Sequence, residues 1–437
     1  MGTIISLDIA DMGLAWSKNS KGVDHGALFQ EQDRKRVSSD QISYEYYEGK
    51  DEELAPNEMA FVRRLKDILP RLALLGFTRE RAVREYENVV ETCLEEASSE
   101  SDGGGAQPPT FVSFDEFCAF VAKHPVADLD DTFVKSLDRE KIKGRFACDE
   151  IAERIPHSWA SETDAYSERS YFGGLVGILH PYSLMWVLGE SDQNRESDVV
   201  WQYGPLVESG WADAAEFTPC ARRTETFLVA TEGSSDAHIL KHAFSVLRPE
   251  VADFFRFIDV SERHPFPGTG NLVKFAEGLA KIDVHNQVVF LFDNDGEGYE
   301  AYQRVQRLSL PANLRAIMLP ELEEFRAFPA RGPEGMNKAD INRRAAAIEC
   351  YLDLGRNGRT PQVVWTNYKK ELDDYHGALE HKEDYTKAFL KQTSEAIASG
   401  AYDARKIGVA LDALVAECSS IATQGGLAAR PQVRLER

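Results

Sequence analysis

Short apolar runs alternate with amphipathic segments in the second half of the chain. The runs are rich in Phe, Val, Leu and Ile, and the segments between them repeat apolar residues at the spacing of one helix face. Strands that alternate with helices are typical of a parallel sheet covered by helices. The predicted strands are Phe227–Ala230, Phe254–Val260, Val288–Phe292 and Leu314–Leu319, and the predicted helices are Asp236–Leu247, Asn271–Ile282 and Tyr299–Leu308.

The first half of the chain has a mixed pattern. Thr3–Ile9 and Gly13–Ser17 alternate apolar and polar residues as in a β-hairpin. Pro56–Glu96 has the spacing of two amphipathic helices, with breaks predicted at Pro70 and Gly76. Residues 98–110 are rich in Ser, Gly and Pro, which predicts a linker or a long loop.

These patterns divide the chain of 437 residues into three predicted parts. Residues 1–215 are expected to form a helix-rich α+β domain, and residues 216–353 an α/β domain with a parallel sheet. Residues 354–437 mix acidic and basic faces, which predicts a helical C-terminal region.

The charge balance limits how the protein can bind nucleic acid. Asp and Glu outnumber Lys and Arg by 72 to 50, which gives a net charge of -22. This balance argues against nucleic-acid binding through the overall electrostatic field of the protein. It is compatible with binding through a local basic patch. One candidate patch lies on the predicted helices near residue 70: Arg63, Arg64, Lys66, Arg71, Arg79, Arg81 and Arg84.

Cysteine spacing and hydropathy exclude several other classes. The six cysteines form no CxxC pair, so we expect reduced thiols rather than a zinc site or a disulfide framework. The N-terminus lacks the basic and apolar regions of a signal peptide. The apolar runs are far shorter than the ~20 residues of a membrane span. We therefore expect a cytoplasmic protein without a membrane partner.

Acidic residues follow two of the predicted strands. Glu232 and Asp236 come after the first strand, and Asp293 and Asp295 come after the third. Functional groups of parallel α/β sheets gather beyond the carboxyl ends of the strands. Carboxylate oxygens are the ligands that Mg²⁺ prefers, so the pattern predicts a site for one or two Mg²⁺ or Mn²⁺ ions.

Glycines and lysines near these acids are candidates for contacts with a substrate phosphate. Glycine lets the backbone turn sharply and approach a phosphate closely. A lysine would stabilise the negative charge of the reacting phosphate. Three lysines are candidates for this role, and the sequence does not indicate which of them has it. The candidates are Gly233, Gly270, Gly296, Lys274, Lys338 and Lys382.

Other interpretations of the acidic turns fit less well. A calcium loop that begins at Asp293 would need Glu at its twelfth position, which is Arg304. A dehalogenase-like phosphatase would use Asp293 as nucleophile, but Glu297 stands where such enzymes usually have threonine. That interpretation also gives the turn at Glu232 no role, although it stays open. A dinucleotide-binding loop would need glycine at Val273.

The two acidic turns, TEGSSD and FLFDNDGEG, together resemble the Toprim fold. That fold is shared by topoisomerases, bacterial-type primases, recombination proteins, ribosomal-RNA maturation nucleases and OLD-family nucleases. The resemblance implies catalytic roles for Glu232, Asp293 and Asp295, with Asp236 as a further metal ligand. The segment KADINRRAAAIECYLDL resembles the helix that supplies another glutamate in OLD-like nucleases, which implies a role for Glu349 and, after it, Asp340.

The start of the chain, MGTIISLDI and WSKN, followed by this core is similar to bacterial proteins described as HEPN/Toprim-associated. The similarity implies a shared N-terminal domain in front of a nuclease effector, with a role in defence against phage. A HEPN ribonuclease motif needs Arg and His separated by four to six residues. Arg154 with His157 is too closely spaced, and Arg256 with His264 too widely, so the expected effector is the Toprim domain.

The expected fold is therefore an α/β Toprim domain, preceded by an α+β N-terminal domain and followed by a helical C-terminal region. The chain lacks the cysteine cluster of a primase, the room for a topoisomerase's tyrosine-bearing domain, and a GxxxxGK[ST] loop. A metal-dependent nuclease acting on DNA or RNA is left by elimination. The alternative is a scaffold that binds a nucleotide or a partner without cutting. The terminal regions are expected to bind a protein partner or a second copy of the chain.

Overall fold

The computed structural model describes residues 2–100, 109–135, 138–156, 165–258, 268–282, 284–333, 335–355, 358, 360–369 and 374–428. The described residues form two compact units that divide between Ala221 and Arg222. Most of the predicted linker at 98–110 lies outside the described residues. The predicted boundary between residues 353 and 354 falls inside the second unit.

The first unit contains a five-stranded antiparallel sheet in the order β2-β1-β5-β4-β3. The predicted N-terminal hairpin is confirmed, with Ile9 opposite Met12 at its turn. The strands are β1 (Ile4–Ile9), β2 (Met12–Lys18), β3 (Arg34–Arg36), β4 (Met59–Arg64) and β5 (Asp198–Gln202). The helices are α1 (Asp51–Asn57), α2 (Leu65–Leu74), α3 (Arg79–Glu100), α4 (Phe114–Lys123), α5 (Arg139–Lys143), α6 (Glu168–Val176), α7 (Pro181–Leu188), α8 (Asp192–Arg195) and α9 (Gly204–Glu208).

The predicted helix break at Pro70 is wrong, because Pro70 lies inside α2. The break predicted at Gly76 is confirmed, because α2 ends at Leu74 and α3 begins at Arg79. Residues 59–64, which have a helical spacing in the sequence, form the strand β4. Phe61 of β4 and Ile68 of α2 are both fully buried. Burial of these side chains in one core outweighs the local preference of the segment.

Most of the candidate basic patch in this unit is paired within the protein. Arg63 bonds Asp33, and Arg64 and Lys66 both contact Glu196. Arg71 is fully buried and donates to the carbonyl oxygens of residues 27 and 29. Arg79 and Arg81 also pair with carboxylates. These cations therefore stabilise the fold of the unit rather than form an open basic surface.

The second unit has a parallel four-stranded sheet in the order β10-β8-β6-β7. The predicted strand–helix alternation is confirmed. Each of the three predicted helices begins two or three residues earlier in the structure than in the prediction. The strands of the unit are β6 (Phe227–Ala230), β7 (Phe255–Phe257), β8 (Gln287–Phe292), β9 (Asn294–Asp295), β10 (Leu314–Met318), β11 (Phe328–Gly332), β12 (Gly335–Ala339), β13 (Ala345–Ala346), β14 (Val363–Lys369) and β15 (Asp374–Leu379). The helices are α10 (Ser234–Leu247), α11 (Thr269–Ala280), α12 (Gly296–Gln306), α13 (Lys382–Phe389), α14 (Ser394–Ala398) and α15 (Arg405–Ala428).

The expectation that the C-terminal region is wholly helical is wrong. β14 and β15 pair antiparallel and complete a second four-stranded sheet, in the order β12-β11-β14-β15. Val363 and Leu379 lie opposite each other at the start of this hairpin and are both buried. The helical part of the prediction is confirmed for α13, α14 and α15.

The helix expected around Glu349 is also absent. Residues 345–346 form β13, and residues 348–351 form a single 3₁₀ turn. All residues from 345 to 352 except Ala347 are buried. The apolar residues of this segment therefore reflect passage through the core rather than one face of a surface helix.

Among the described residues, no single helix is long and apolar enough to cross a membrane. α6 and α7 reach that length and composition only as a pair, and the pair is bent by 112°.

The centre of the parallel sheet should determine the stability of the second unit. Phe290 of β8 is fully buried, and its ring packs edge-on against Phe275 at 5.9 Å. Phe290→Ala should lower the free energy of unfolding by about 3–5 kcal/mol, because it leaves a cavity between sheet and helix. Urea denaturation measures the change. The control, Met336→Ala on an exposed position of β12, should cost less than about 0.5 kcal/mol. Equal losses in the two variants would contradict this assignment of the core.

Candidate functional site

The first acidic turn connects β6 to α10. Asp236 lies in the first turn of α10, as predicted, and is buried. Its Oδ2 accepts a hydrogen bond of 2.9 Å from the backbone N–H of Gly233. Gly233 is the N-cap residue of this helix, and the side chain of Asp236 reaches back to it. Asp236 is thus fixed by the helix start that it stabilises.

The second acidic turn connects β8 to α12. Asp295 is the N-cap residue of α12, and its Oδ1 accepts hydrogen bonds from the backbone N–H groups of Glu297 and Gly298. Asp293 is held differently, because its Oδ1 accepts a bond of 3.0 Å from the backbone N–H of Ile348. The two aspartates are therefore anchored to different segments of the chain.

The two turns contact each other directly. The backbone N–H of Asp293 donates to Oε1 of Glu232 over 3.1 Å. A Cβ at Gly298 would lie 2.2 Å from the carbonyl oxygen of Asp293 and 2.9 Å from Oε1 of Glu232. Only glycine permits this approach. The space beside Gly298 is therefore occupied by the protein's own groups.

Asn294, between the two aspartates, connects the second turn to the segment that carries Glu349. Its side chain is fully buried and its Nδ2 donates to Oδ1 of Asn342 and to the hydroxyl of Tyr351. Its Oδ1 accepts from the backbone N–H of Arg343. β9 and β13 also pair through Asn294 and Ala346. These bonds fix the 3₁₀ turn at Glu349 against the aspartates.

Glu349 is 3% exposed, so it is a buried residue of a 3₁₀ turn rather than an exposed helical acid. Its Oε1 lies 3.8 Å from Nζ of Lys382, the first residue of α13. Asp340 is exposed and bonds Asn342, which makes it part of the turn that supports Asn294.

Burial and mutual repulsion raise the pKa values of the clustered acids. Burial, and after it the charge of Asp295, raises the pKa of Glu232 from 4.5 to about 8. Burial and the charge of Glu349 raise the pKa of Asp236 from 3.8 to about 6. The pKa of Asp293 is raised well above its usual range by burial, then by Asp236 and Glu232. Burial also raises the pKa of Asp295, which the N–H groups of the helix start partly offset.

The donor atoms fit a hard divalent cation in their chemistry. One oxygen of Glu232, of Asp293 and of Asp295 is held by backbone N–H groups, and the other accepts no hydrogen bond from a described residue. Carboxylate oxygens in a buried, like-charged cluster are suitable ligands for Mg²⁺ or Mn²⁺. However, among the described residues no three Asp, Glu, His or Cys side chains are already arranged around one ion position. A bound ion therefore requires rotation of these side chains.

The six candidate phosphate contacts lie in different environments. Lys382 is the candidate lysine that the structure pairs with the cluster, whereas Lys274 and Lys338 are exposed on α11 and β12. Gly233 donates its N–H to the carboxylate of Asp236, and Gly296 is buried at the start of α12. Gly270 is exposed in the first turn of α11. The preceding Gly268 donates its N–H to the carbonyl oxygen of Glu232 over 3.0 Å, which brings this helix start to the first acidic turn.

Sequence reasoning missed His376 on β15. Its charge lowers the pKa of Asp295, and its Nδ1 is buried without a hydrogen-bond partner among the described residues. The neighbouring Gly377 donates its N–H to the carbonyl oxygen of Arg344, which is bridged to Asp295. No local signal in the sequence indicates this approach, because the strand that carries His376 lies in a region predicted to be helical.

Comparison with known proteins addresses the first half of the chain. Residues 1–225 match the family described as HEPN/Toprim N-terminal domain 1. The match covers just over half of the chain, includes the described residues of the first unit, and ends before β6. No curated protein and no solved structure matches the chain.

The raised pKa of Glu232 predicts how stability depends on pH without metal. The folded protein binds a proton at Glu232 between pH 4.5 and about 8, where the unfolded chain does not, so stability falls as pH rises through this window. Glu232→Gln keeps the oxygen that accepts from Asp293 and cannot ionise. In EDTA the variant should melt a few degrees above the wild type at pH 8 and close to it at pH 4.5. Thermal unfolding at both pH values measures the difference.

The matched control is Glu383→Gln, which removes an exposed carboxylate of α13. It should leave the pH dependence of the wild type unchanged. If the melting temperatures of Glu232→Gln and the wild type differed by the same amount at both pH values, the raised pKa of Glu232 would be refuted.

The buried side chain of Asn294 should be sensitive to a one-atom change. Asn294→Asp replaces a donor by a carboxylate oxygen that faces Oδ1 of Asn342, and it adds charge to a cluster that already repels itself. We expect a loss of about 2–4 kcal/mol in unfolding free energy, measured by urea denaturation. Asn337→Asp on the exposed face of β12 is the control. If Asn294→Asp lost no more unfolding free energy than this control, the role given to Asn294 would be contradicted.

Proposed function

The chain belongs to the family of the HEPN/Toprim N-terminal domain 1, a family related to nucleases, and we propose that its second unit is a Toprim-type, metal-dependent nuclease. The substrate in this proposal is DNA or RNA, and the bonds that are hydrolysed are phosphodiesters. The family and the placement of acids after β6 and β8 of a parallel sheet both support this assignment. The physiological role that we propose is defence against phage in the bacterial cytoplasm.

The observation that carries the proposal is the gathering of five carboxylates that repel one another. They come from three separate segments, at residues 232–236, 293–295 and 349. For four of the five, the raised pKa reflects the unfavourable free energy of ionising an acid in this cluster. Perturbed pKa values cluster at functional sites because structural roles rarely need them. A cation would offset this repulsion, which a purely structural core would avoid.

We assign the role of principal metal ligands to Asp293 and Asp295, through the oxygens that no described residue binds. A divalent ion held there would supply a Lewis acid for the scissile phosphate. The charge of Glu349 raises the pKa of Asp236, so these two acids are close enough to interact, and they are proposed as ligands of a second ion.

Glu232 is proposed as a further ligand or as the general acid/base. A pKa of about 8 means that Oε2 of Glu232 exchanges its proton near neutral pH, which is the condition that general acid/base catalysis needs. The bond from the N–H of Asp293 to Oε1 keeps the carboxyl group in one orientation while Oε2 exchanges the proton.

Lys382 is the proposed electrophilic cation for the reacting phosphate. Its side chain is 53% exposed and its Nζ is 3.8 Å from Glu349, so it can contact both the cluster and a substrate. Its charge also lowers the pKa of Asp236, which places it within electrostatic reach of the first acidic turn.

A scaffold that binds a nucleotide or a partner without cutting is the second candidate. The observation in its favour is that no three ligand side chains of the described residues already converge on one ion position. A scaffold should show no large melting shift with Mg²⁺ or Mn²⁺. A metal-binding enzyme should be stabilised by either ion, because binding to the folded state alone raises the melting temperature.

The nuclease proposal predicts metal-dependent cutting by the purified full chain. Plasmid, single-stranded DNA and total tRNA are incubated with Mn²⁺, Mg²⁺ or EDTA, and the products are separated on gels. Asp293→Asn/Asp295→Asn keeps the size of both side chains and removes their charges. We expect cutting with Mn²⁺ or Mg²⁺, none with EDTA, and a loss of about 100-fold or more in this double variant.

Glu383→Gln serves again as the control and should cut as the wild type does. If folded wild-type protein cut none of the polymers and its melting temperature did not respond to metal, the nuclease proposal would be wrong and the scaffold would replace it. Cutting that survives in the double variant would place the activity elsewhere in the chain.

A further inference from the structure

An open cavity of about 430 Å³ lies between α10 and β7, outside the carboxylate cluster. Its α10 wall is one stripe of the helix at the spacing of a single face. Its other wall is formed by β7 and the turn before it. The residues that line it are Ala237, His238, Lys241, Phe244, Ser245, Ala252, Phe255, Arg256 and Phe257.

Two cations of this cavity form no ion pair with the part of the chain that the structure describes. Lys241 and Arg256 are exposed, and neither forms an ion pair with a carboxylate of the described residues. This differs from the cations of the basic run in the first unit, most of which are paired with carboxylates. In a chain with a net charge of -22, two exposed cations at one cavity that pair with no described carboxylate are suited to a negatively charged ligand.

The cavity also presents an aromatic surface. Phe244 and Phe255 are buried and stacked at 4.0 Å between ring centroids, which makes a rigid floor. Phe257 is only partly buried, and its ring lies 6.2 Å from that of Phe244. A partly buried phenylalanine ring in the same cavity as two cations suits a planar ring that carries phosphate, which is the chemistry of a nucleotide.

The position of the cavity relates it to the carboxylate cluster. Ala237 and His238 follow Asp236 directly in the first turns of α10. Lys241 is five residues after Asp236, which corresponds to about 7.5 Å along the helix axis. β7 is the edge strand of the parallel sheet, so no further strand of the described residues covers this side of the cavity.

We propose that this cavity binds one nucleotide of a single-stranded nucleic acid, next to the scissile phosphate. Lys241 and Arg256 contact the backbone phosphates, and Phe257 stacks on the base. A base can reach Phe257 only when it is unstacked from its neighbours, which favours a single strand over a duplex. This inference rests on the proposed nuclease function, and it narrows the substrate to single-stranded DNA or RNA.

The test measures binding without catalysis. The full chain with Asp293→Asn is titrated in EDTA against fluorescein-labelled 12-nucleotide single strands of DNA and of RNA, and anisotropy is recorded at several salt concentrations. K241Q/R256Q should weaken binding about tenfold or more. Its plot of log affinity against log salt should lose about 0.7 in slope for each phosphate contact removed.

Phe257→Leu separates stacking from charge. It keeps an apolar side chain but removes the ring, so binding should fall about fivefold or more with an unchanged salt slope, and Phe257→Tyr should restore it. A duplex of the same length should bind at least fivefold more weakly than the single strand. The control K281Q/R307Q removes two exposed cations elsewhere in the same unit and should bind within twofold of the parent.

The proposal is overturned if K241Q/R256Q binds within twofold of the parent, if K281Q/R307Q weakens binding equally, or if duplex binds as tightly as single strand. These outcomes are distinct from failure of the nuclease proposal. Specific binding by a protein that never cuts would refute the nuclease and leave the nucleotide site. Cutting by a protein whose affinity does not depend on Lys241 and Arg256 would refute the site alone.

Discussion

The hydrogen bond from the backbone N–H of Asp293 to Oε1 of Glu232 joins two loops that carry charges of the same sign. Everything else in the cluster is arranged around this contact. Gly298 supplies the space for it, since a Cβ there would collide with both partners. Asn294 holds the same turn from the other side, by its bonds to Asn342 and Tyr351. A site that repels itself is thus kept together by neutral groups, namely backbone N–H donors and a buried amide.

This arrangement explains how the acids remain close to one another without a cation. Each of Asp236, Asp293 and Asp295 accepts at least one backbone N–H, which stabilises the charged form, while burial and the neighbouring acids stabilise the protonated form. Burial and repulsion prevail, as the direction of the pKa changes shows. The carboxyl groups of the cluster therefore keep their protons to a higher pH than free carboxyl groups do, and a divalent ion that enters must displace the protons that remain.

The parts of this fold that were predictable from sequence are the strands and helices whose apolar residues follow a single regular pattern. The alternation of buried strands with amphipathic helices gave β6, β8 and β10, and with them the two turns that carry Glu232 and Asp293. The environment of Glu349 was not predictable, because its segment is buried on all sides and has no amphipathic period to interpret. His376 was out of reach for another reason: its approach to Asp295 depends on the pairing of distant segments, which a single sequence does not encode locally. The family assignment needed only the first 225 residues and is independent of both.

The carboxylates are far apart along the chain, and this has a consequence for synthesis. From Glu232 to Glu349 the ribosome must add more than a hundred residues, and Lys382 comes later still. Because domains fold as the chain emerges from its N-terminal end, residues 1–221 can fold while the cluster still lacks its last members. A truncated product that ends before Glu349 would carry the family domain without a finished carboxylate site.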